Sequence, residues 1–206
     1  MTPTLKKLPE DIHREKMMEL IKKYVLNEYV TLSLSGPLRV DENVRSEKSI
    51  IEGTLIGDYE DHKKIIPLRG EGIGLLHAFH NGIKARLEGR YCFVEELEME
   101  ELRVDTIHPK NRGAVSQDKV GVTILVRVGS RKRIAFRHQS SSVLASLLGG
   151  FLQACEYFIN TERAIKKVVF LMENYKKRGR SGLLEECLTD LTYLVEYSYY
   201  KPEHSI

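Results

Sequence analysis

The segment Lys119 to Val128, which reads KVGVTILVRV, carries the clearest fold signal in this 206-residue sequence. Apolar residues stand at every second position from 120 to 128, namely Val120, Val122, Ile124, Val126 and Val128, and a period of two is typical of a strand. Gly129-Ser130 fits a two-residue hairpin turn with glycine first, so Arg131 to Arg137 is predicted to return as the paired strand. His108 to Asp118 is predicted as the loop that precedes the hairpin.

Residues on either side extend this hairpin to three strands and a helix. Leu97 to Ile107 is strand-like, and its apolar phase slips between Met99 and Leu102, which indicates a β-bulge. After the hairpin, Ser140-Ser141-Ser142 can cap a helix. The predicted apolar face of that helix consists of Leu144, Leu147, Leu148, Phe151, Cys155 and Phe158.

The same order of elements is predicted earlier in the chain. A strand begins at Tyr29 and is ended by Gly36-Pro37, and a polar loop follows through Ser46. Two further strands, Ser49–Ile56 and His62–Leu68, are joined by a turn around Gly57-Asp58. A helix comes next, with Leu76, Phe79, Ile83 and Leu87 on one face, and Gly89 stops it. The two halves share no residue-level identity, so the repeat rests on pattern alone. Two such units, at about residues 29–88 and 93–159, predict an α+β fold with each helix on one sheet face.

Helical segments are predicted at both ends. A helix begins at Leu8-Pro9, and apolar residues then recur at three- and four-residue spacing. Beyond Asn160 the pattern stays helical to the end, with a break over Arg178 to Gly182. We therefore divide the chain into an N-terminal helical segment (1–28), an α+β domain (29–160) and a C-terminal helical extension (161–206).

The composition limits the classes of function. With 32 basic and 29 acidic residues, the net charge of +3 argues against a dedicated nucleic-acid binder. A hydrophobic content of 42% is enough for a folded core, and no apolar run approaches the roughly 20 residues of a membrane span. Three widely spaced cysteines favour neither a disulfide framework nor a zinc site. We expect a cytoplasmic protein with no membrane association.

The glycine-rich segment Gly70-Glu71-Gly72-Ile73-Gly74 is the most informative short motif. It lies between a predicted strand and a predicted helix, where backbone N–H groups and the helix dipole can hold an anion. Its spacing fits neither GxGxxG nor a Walker loop. The alternative is that the glycines permit a tight turn and close packing.

No other motif predicts catalysis. His77 and His80 lie three apart on a predicted helix but have no HExxH pattern and no third ligand, so we expect no metal. The acidic run Glu95 to Glu101 and the basic residues around Arg131 are interpreted as solvated faces or ion pairs. No GxSxG elbow is present. We therefore predict a protein that is not an enzyme and carries no cofactor.

The order of strands, glycine segment and helix, repeated once, resembles the C-terminal regulatory domain of 2-isopropylmalate synthase and citramalate synthase. The resemblance covers about residues 29–160. The family's Gly-Asn-Gly-Pro turn corresponds to Gly70, Glu71, Gly72 and Ile73, and its small-residue turn before the final helix to Gln139 through Ser142. Glu71 and Ile73 depart from that pattern, as does Leu75, where the family has aspartate.

The resemblance implies a noncatalytic regulatory domain that forms a homodimer and senses leucine, isoleucine or a related small hydrophobic amino acid or 2-oxo acid. The ligand-binding residues would be Gly70, Glu71, Gly72, Ile73, Gly74, Gln139, Ser141 and Ser142. The catalytic barrel of the family is absent from this sequence, so a separate synthase catalytic subunit is the implied partner. The alternative is a ligand-free structural or protein-interaction module that acts through its helical tail.

Overall fold

The computed structural model describes residues 9–59, 62–87, 90–107, 119–128 and 132–200. It contains two antiparallel three-stranded sheets, each followed by a helix, which confirms the predicted α+β class. The first unit consists of β1 (Thr31–Asn43), β2 (Lys48–Tyr59), β3 (His62–Ile73) and α2 (Leu75–Leu87). The second consists of β4 (Glu98–Ile107), β5 (Lys119–Val128), β6 (Lys132–Ser140) and α4 (Val143–Lys177), and the short helix α3 (Phe93–Glu96) precedes it.

Strand β1 is longer than the sequence predicts. Gly36-Pro37 does not end it, because pairing with β2 resumes at Arg39 and continues to Asn43 after a register irregularity. Gly36 takes a φ of 70°, which is why an irregularity is possible there without strain. The predicted polar loop is thus largely an edge strand, whose exposed residues have no reason to be apolar.

Strands β2 and β3 also extend past their predicted ends. Gly57 and Asp58 pair with Lys64 and Lys63, so they belong to β2 and are not a turn. Gly70 and Gly72 are likewise paired with β2, and only Gly74, with a φ of 75°, takes a turn conformation before α2. The glycine segment is therefore mainly strand.

Two local predictions in the second unit are confirmed. The β4–β5 register shifts between Met99 and Glu101, where the bulge was expected. Ser142 caps α4, since its side chain accepts a hydrogen bond from the Ala145 amide. The predicted loop over residues 108–118, the Gly129-Ser130 turn and the helix stop at Gly89 lie outside the described residues.

Helix α4 is the central element of the core. Its 35 residues run without interruption through position 160 and pack against β5, β6, β1, α1 (Pro9–Val25) and α5 (Ser181–Glu196). The predicted break before α5 is confirmed, with Gly179 at a φ of 66°. By length and composition α4 could cross a membrane, and 61% of its most apolar 18-residue window is buried within the fold.

Candidate ligand-binding site

At the first predicted ligand-binding segment, Gly70 to Gly74, helix α2 occupies the space beside Gly70 and Gly72. A Cβ at Gly70 would fall onto the carbonyl oxygen of Ala78, and one at Gly72 would lie 2.6 Å from the Ala78 nitrogen. His77 Nδ1 accepts a hydrogen bond from the Ile73 amide (3.2 Å), and the side chain of Asn81 donates to the Glu71 carbonyl (2.8 Å). These contacts are those expected if the glycines serve close packing of strand against helix.

The second predicted segment lies at the equivalent junction of the second unit. Gln139 is exposed at the end of β6, and Ser141 and Ser142 are exposed before α4. The side chain of Ser140 donates to the carbonyl oxygen of Ser142 and accepts from its amide, so this turn is internally bonded. None of the eight predicted ligand-binding residues lines the cavity that the structure contains nearby.

That cavity lies between the two units and has a volume of about 350 Å³. One wall is the first part of β1, and the opposite walls are β6 and the first half of α4. Its lining residues are Leu32, Ser33, Leu34, His138, Ala145, Gly149, Leu152, Gln153 and Glu156. Ligand sites in proteins have volumes from about 300 Å³ upward and combine apolar walls with a few polar groups.

Three polar side chains converge on the cavity. The Nδ1 atom of His138 and the Oε1 atom of Gln153 are buried without a hydrogen-bond partner. Glu156 Oε1 accepts a hydrogen bond of 2.6 Å from the Leu32 amide. Burial raises the pKa of the Glu156 carboxyl, and the bond from Leu32 only partly opposes this. Because the two unpartnered atoms are fully buried, they lie behind the surface of the cavity, and Glu156 is the polar group that a ligand can reach.

The sequence builds this site from one helix face and two strand edges. Ala145, Gly149, Leu152 and Glu156 recur at spacings of three and four, which places them on one side of α4. Gly149 is necessary there, because a Cβ would lie 2.8 Å from the ring of His138.

The edge of β1 is held against α4 by side-chain bonds. Asn160 pairs with both the amide and the carbonyl of Val30 at 2.8 Å, and Glu156 accepts from Leu32. Because backbone groups alternate along an antiparallel strand, the Leu34 amide points to the same side as those of Val30 and Leu32. It thus adds a donor to the cavity wall.

Sequence reasoning missed His138, Gln153 and Glu156, although a signal was present. Ile134, Phe136 and His138 share the buried face of β6, so the pattern placed a histidine toward the core. Gln153 and Glu156 likewise lie among the apolar positions of α4. The proximity of β1 to these residues depends on the arrangement of the two sheets, which no local pattern reports.

The other predicted features have structural roles. His77 is hydrogen-bonded to the backbone, whereas the His80 ring packs against Phe151 with centroids 5.9 Å apart. Arg127 pairs with Glu98 at 2.5 Å and Arg133 with Glu100 at 2.7 Å, so the acidic and basic runs partly neutralise each other across the sheet. Among the residues that the structure describes, no three His, Cys, Asp or Glu side chains form a group that could hold a metal ion.

Comparison with known proteins adds no identification. No protein-family profile matches this chain, and no curated protein matches it either. The functional argument therefore depends on the cavity and its chemistry.

Proposed function

We propose that this chain is a noncatalytic small-molecule-binding domain whose site is the cavity between β1, β6 and α4. The observation that carries this proposal is a cavity of about 350 Å³ whose lining combines the apolar side chains of Leu32, Leu34 and Leu152 with the carboxyl group of Glu156. A ligand that binds there stabilises the folded state.

The cavity favours a compact ligand with an apolar part. Leu32, Leu34 and Leu152 provide apolar surface, and Ser33, His138, Gln153 and Glu156 are the polar residues of the lining. A small hydrophobic amino acid or 2-oxo acid has this combination of size and polarity. This is the ligand class that the resemblance to the 2-isopropylmalate synthase regulatory domain implies, at a different place in the fold.

The geometry favours binding over hydrolysis. Ser33, His138 and Glu156 all line the cavity, which brings together the residue types of a catalytic triad. His138 Nδ1, however, has no hydrogen-bond partner, whereas the base of a triad is oriented by a carboxylate on this nitrogen.

The position of the cavity supports a regulatory role. A ligand there would contact β1 of one unit and β6 and α4 of the other, so binding would tie the two units together. A ligand that binds one arrangement of the two units better than another shifts the equilibrium between those arrangements. By the resemblance, the receiver of this signal would be a separate synthase catalytic subunit, and the domain would work as a homodimer.

The test is thermal unfolding of the full chain with leucine, isoleucine, valine and their 2-oxo acids. A ligand at about 100 times its Kd adds roughly 2.7 kcal/mol, which for a chain of this size raises the Tm by about 5–10 °C. Ala145→Leu should abolish the rise by occupying the cavity, whereas Val143→Leu, an exposed position outside it, should not. No rise with any member, or an equal rise in both variants, would contradict the proposal.

A second candidate is a protein-interaction module acting through its C-terminal helices. Exposed apolar side chains on α4 and α5 favour it: Val169, Phe170, Leu183 and Leu188 are 37–59% exposed. Truncation at Asn160 is unsuitable as a test, because Ala164, Ile165 and Val168 beyond it belong to the core. The double variant Phe170→Ser and Leu188→Ser should instead reduce the oligomeric state measured by light scattering, and an unchanged state would count against this candidate.

A further inference from the structure

We propose that the cavity selects ligands that carry a protonated primary amine, with the ammonium group bound to the carboxylate of Glu156 and the aliphatic part against Leu34 and Leu152. This inference rests on the proposed function and narrows it. It distinguishes amines and amino acids from the 2-oxo acids of the same carbon skeleton.

Glu156 supplies the acceptor for this group. It uses Oε1 for the Leu32 amide, which leaves its second oxygen for a ligand. An ammonium group has three donors and no acceptor, so it suits a carboxylate oxygen of this kind.

The charge of the lining points the same way. Glu156 is the one carboxylate among the nine lining residues, and the described lining includes no lysine or arginine. A ligand carboxylate beside Glu156 would have no cationic partner in the lining, and burying an unpaired charge is costly. A carboxylate on the ligand is therefore expected toward the Leu34 amide.

Isothermal titration calorimetry of the full chain with four matched probes tests this inference. The probes are 3-methylbutylamine, leucine, 4-methylpentanoate and 4-methyl-2-oxopentanoate, which share an isobutyl group and differ in amine and carboxylate. We expect the two amine-bearing probes to bind at least tenfold more tightly than the two that lack an amine.

A pair of matched variants assigns the effect to Glu156. Glu156→Gln keeps an acceptor for the Leu32 amide and removes the charge, so the affinity for 3-methylbutylamine should fall at least tenfold. Glu162→Gln is the control, because Glu162 lies six residues further along α4 and accepts a backbone bond from Cys92 at 2.9 Å outside the cavity. Its amine affinity should be unchanged.

The outcomes distinguish failure of the amine inference from failure of the proposed function. Equal or tighter binding of 4-methyl-2-oxopentanoate, or retention of amine affinity in Glu156→Gln, would overturn the amine inference and leave a small-molecule site. Failure of all four probes to bind would overturn the proposed function with it. Equal loss of affinity in both glutamine variants would also overturn the assignment to Glu156.

Discussion

At the β3–α2 junction, Gly70 and Gly72 lie against the backbone of Ala78, whereas at the β6–α4 junction Gly149 lies against the ring of His138. The first contact joins backbone to backbone and leaves the junction filled. The second gives room to a polar side chain beside a cavity. The comparison teaches that glycines mark close approach in both places, and that the cavity distinguishes the place where a ligand can bind.

The largest expected effect on stability is at the β3–α2 junction. Gly70→Val would place its Cβ on the backbone of Ala78 and Gly82, which has no means of moving aside, so we expect a loss of about 3 kcal/mol or more in the free energy of unfolding. Urea denaturation followed by circular dichroism measures it. Gly53→Ala is the control on the same sheet, since its Cβ would meet only a methyl group of Leu38 and should cost about 1 kcal/mol or less. Similar losses in the two variants would contradict the packing role of Gly70.

A smaller effect is expected at the β6–α4 junction, beside the cavity. Gly149→Ala gains helix propensity of about 1 kcal/mol but pushes the His138 ring, for a net loss of roughly 1 kcal/mol. The displaced ring should also weaken ligand binding. Gly182→Ala in α5, where a Cβ meets nothing within 4 Å, should stabilise the chain by about 0.5–1 kcal/mol. Equal stabilisation in both variants would contradict this prediction and show that the His138 ring moves aside without cost.

The smallest effect concerns the charge in the cavity. Because the folded-state pKa of Glu156 is raised, the folded protein binds more protons than the unfolded chain between the two pKa values, and the carboxylate reduces stability above them. Glu156→Gln should therefore raise the ligand-free Tm by about 1–2 °C at neutral pH, after allowance for its partial exposure.

The pH dependence provides the control for this variant. The stability difference should shrink as the pH falls through the raised pKa and vanish below the ordinary range of a glutamate. Glu156 contributes to the raised pKa values of Tyr29 and Cys155, and both groups stay protonated at neutral pH and below, so the difference in this range comes from Glu156. A variant less stable than the native chain at neutral pH, by differential scanning calorimetry, would show that the charge of Glu156 stabilises the fold and would contradict this prediction.

The predictions made from sequence succeed where one element explains its own pattern. The alternation of β5, the bulge in β4 and the Ser142 cap all report local geometry, and the structure contains them. The end of β1 was predicted wrongly because an edge strand with an exposed face looks like a loop. The sequence leaves the role of the glycine segment open, because the helix that requires the glycines lies against them only in the folded chain.

The candidate site shows the same limit more strongly. His138 and Glu156 could have been noticed as polar residues at positions that face the core, but nothing in the sequence places Leu32 beside them. That neighbourhood comes from the edge of the first sheet lying against the helix of the second unit. A site between repeated units is beyond the reach of patterns read within each unit.

The most direct test of the account is a titration of the isotopically labelled full chain with leucine, followed through backbone amide resonances in nuclear magnetic resonance spectra. The account predicts saturable shifts at the amides of Leu32, Leu34 and Gly149, which line the cavity, and little change at Gly70 to Gly74. Shifts centred on Gly70 to Gly74, with Leu32 and Leu34 unmoved, would contradict it and place the ligand at the glycine segment instead.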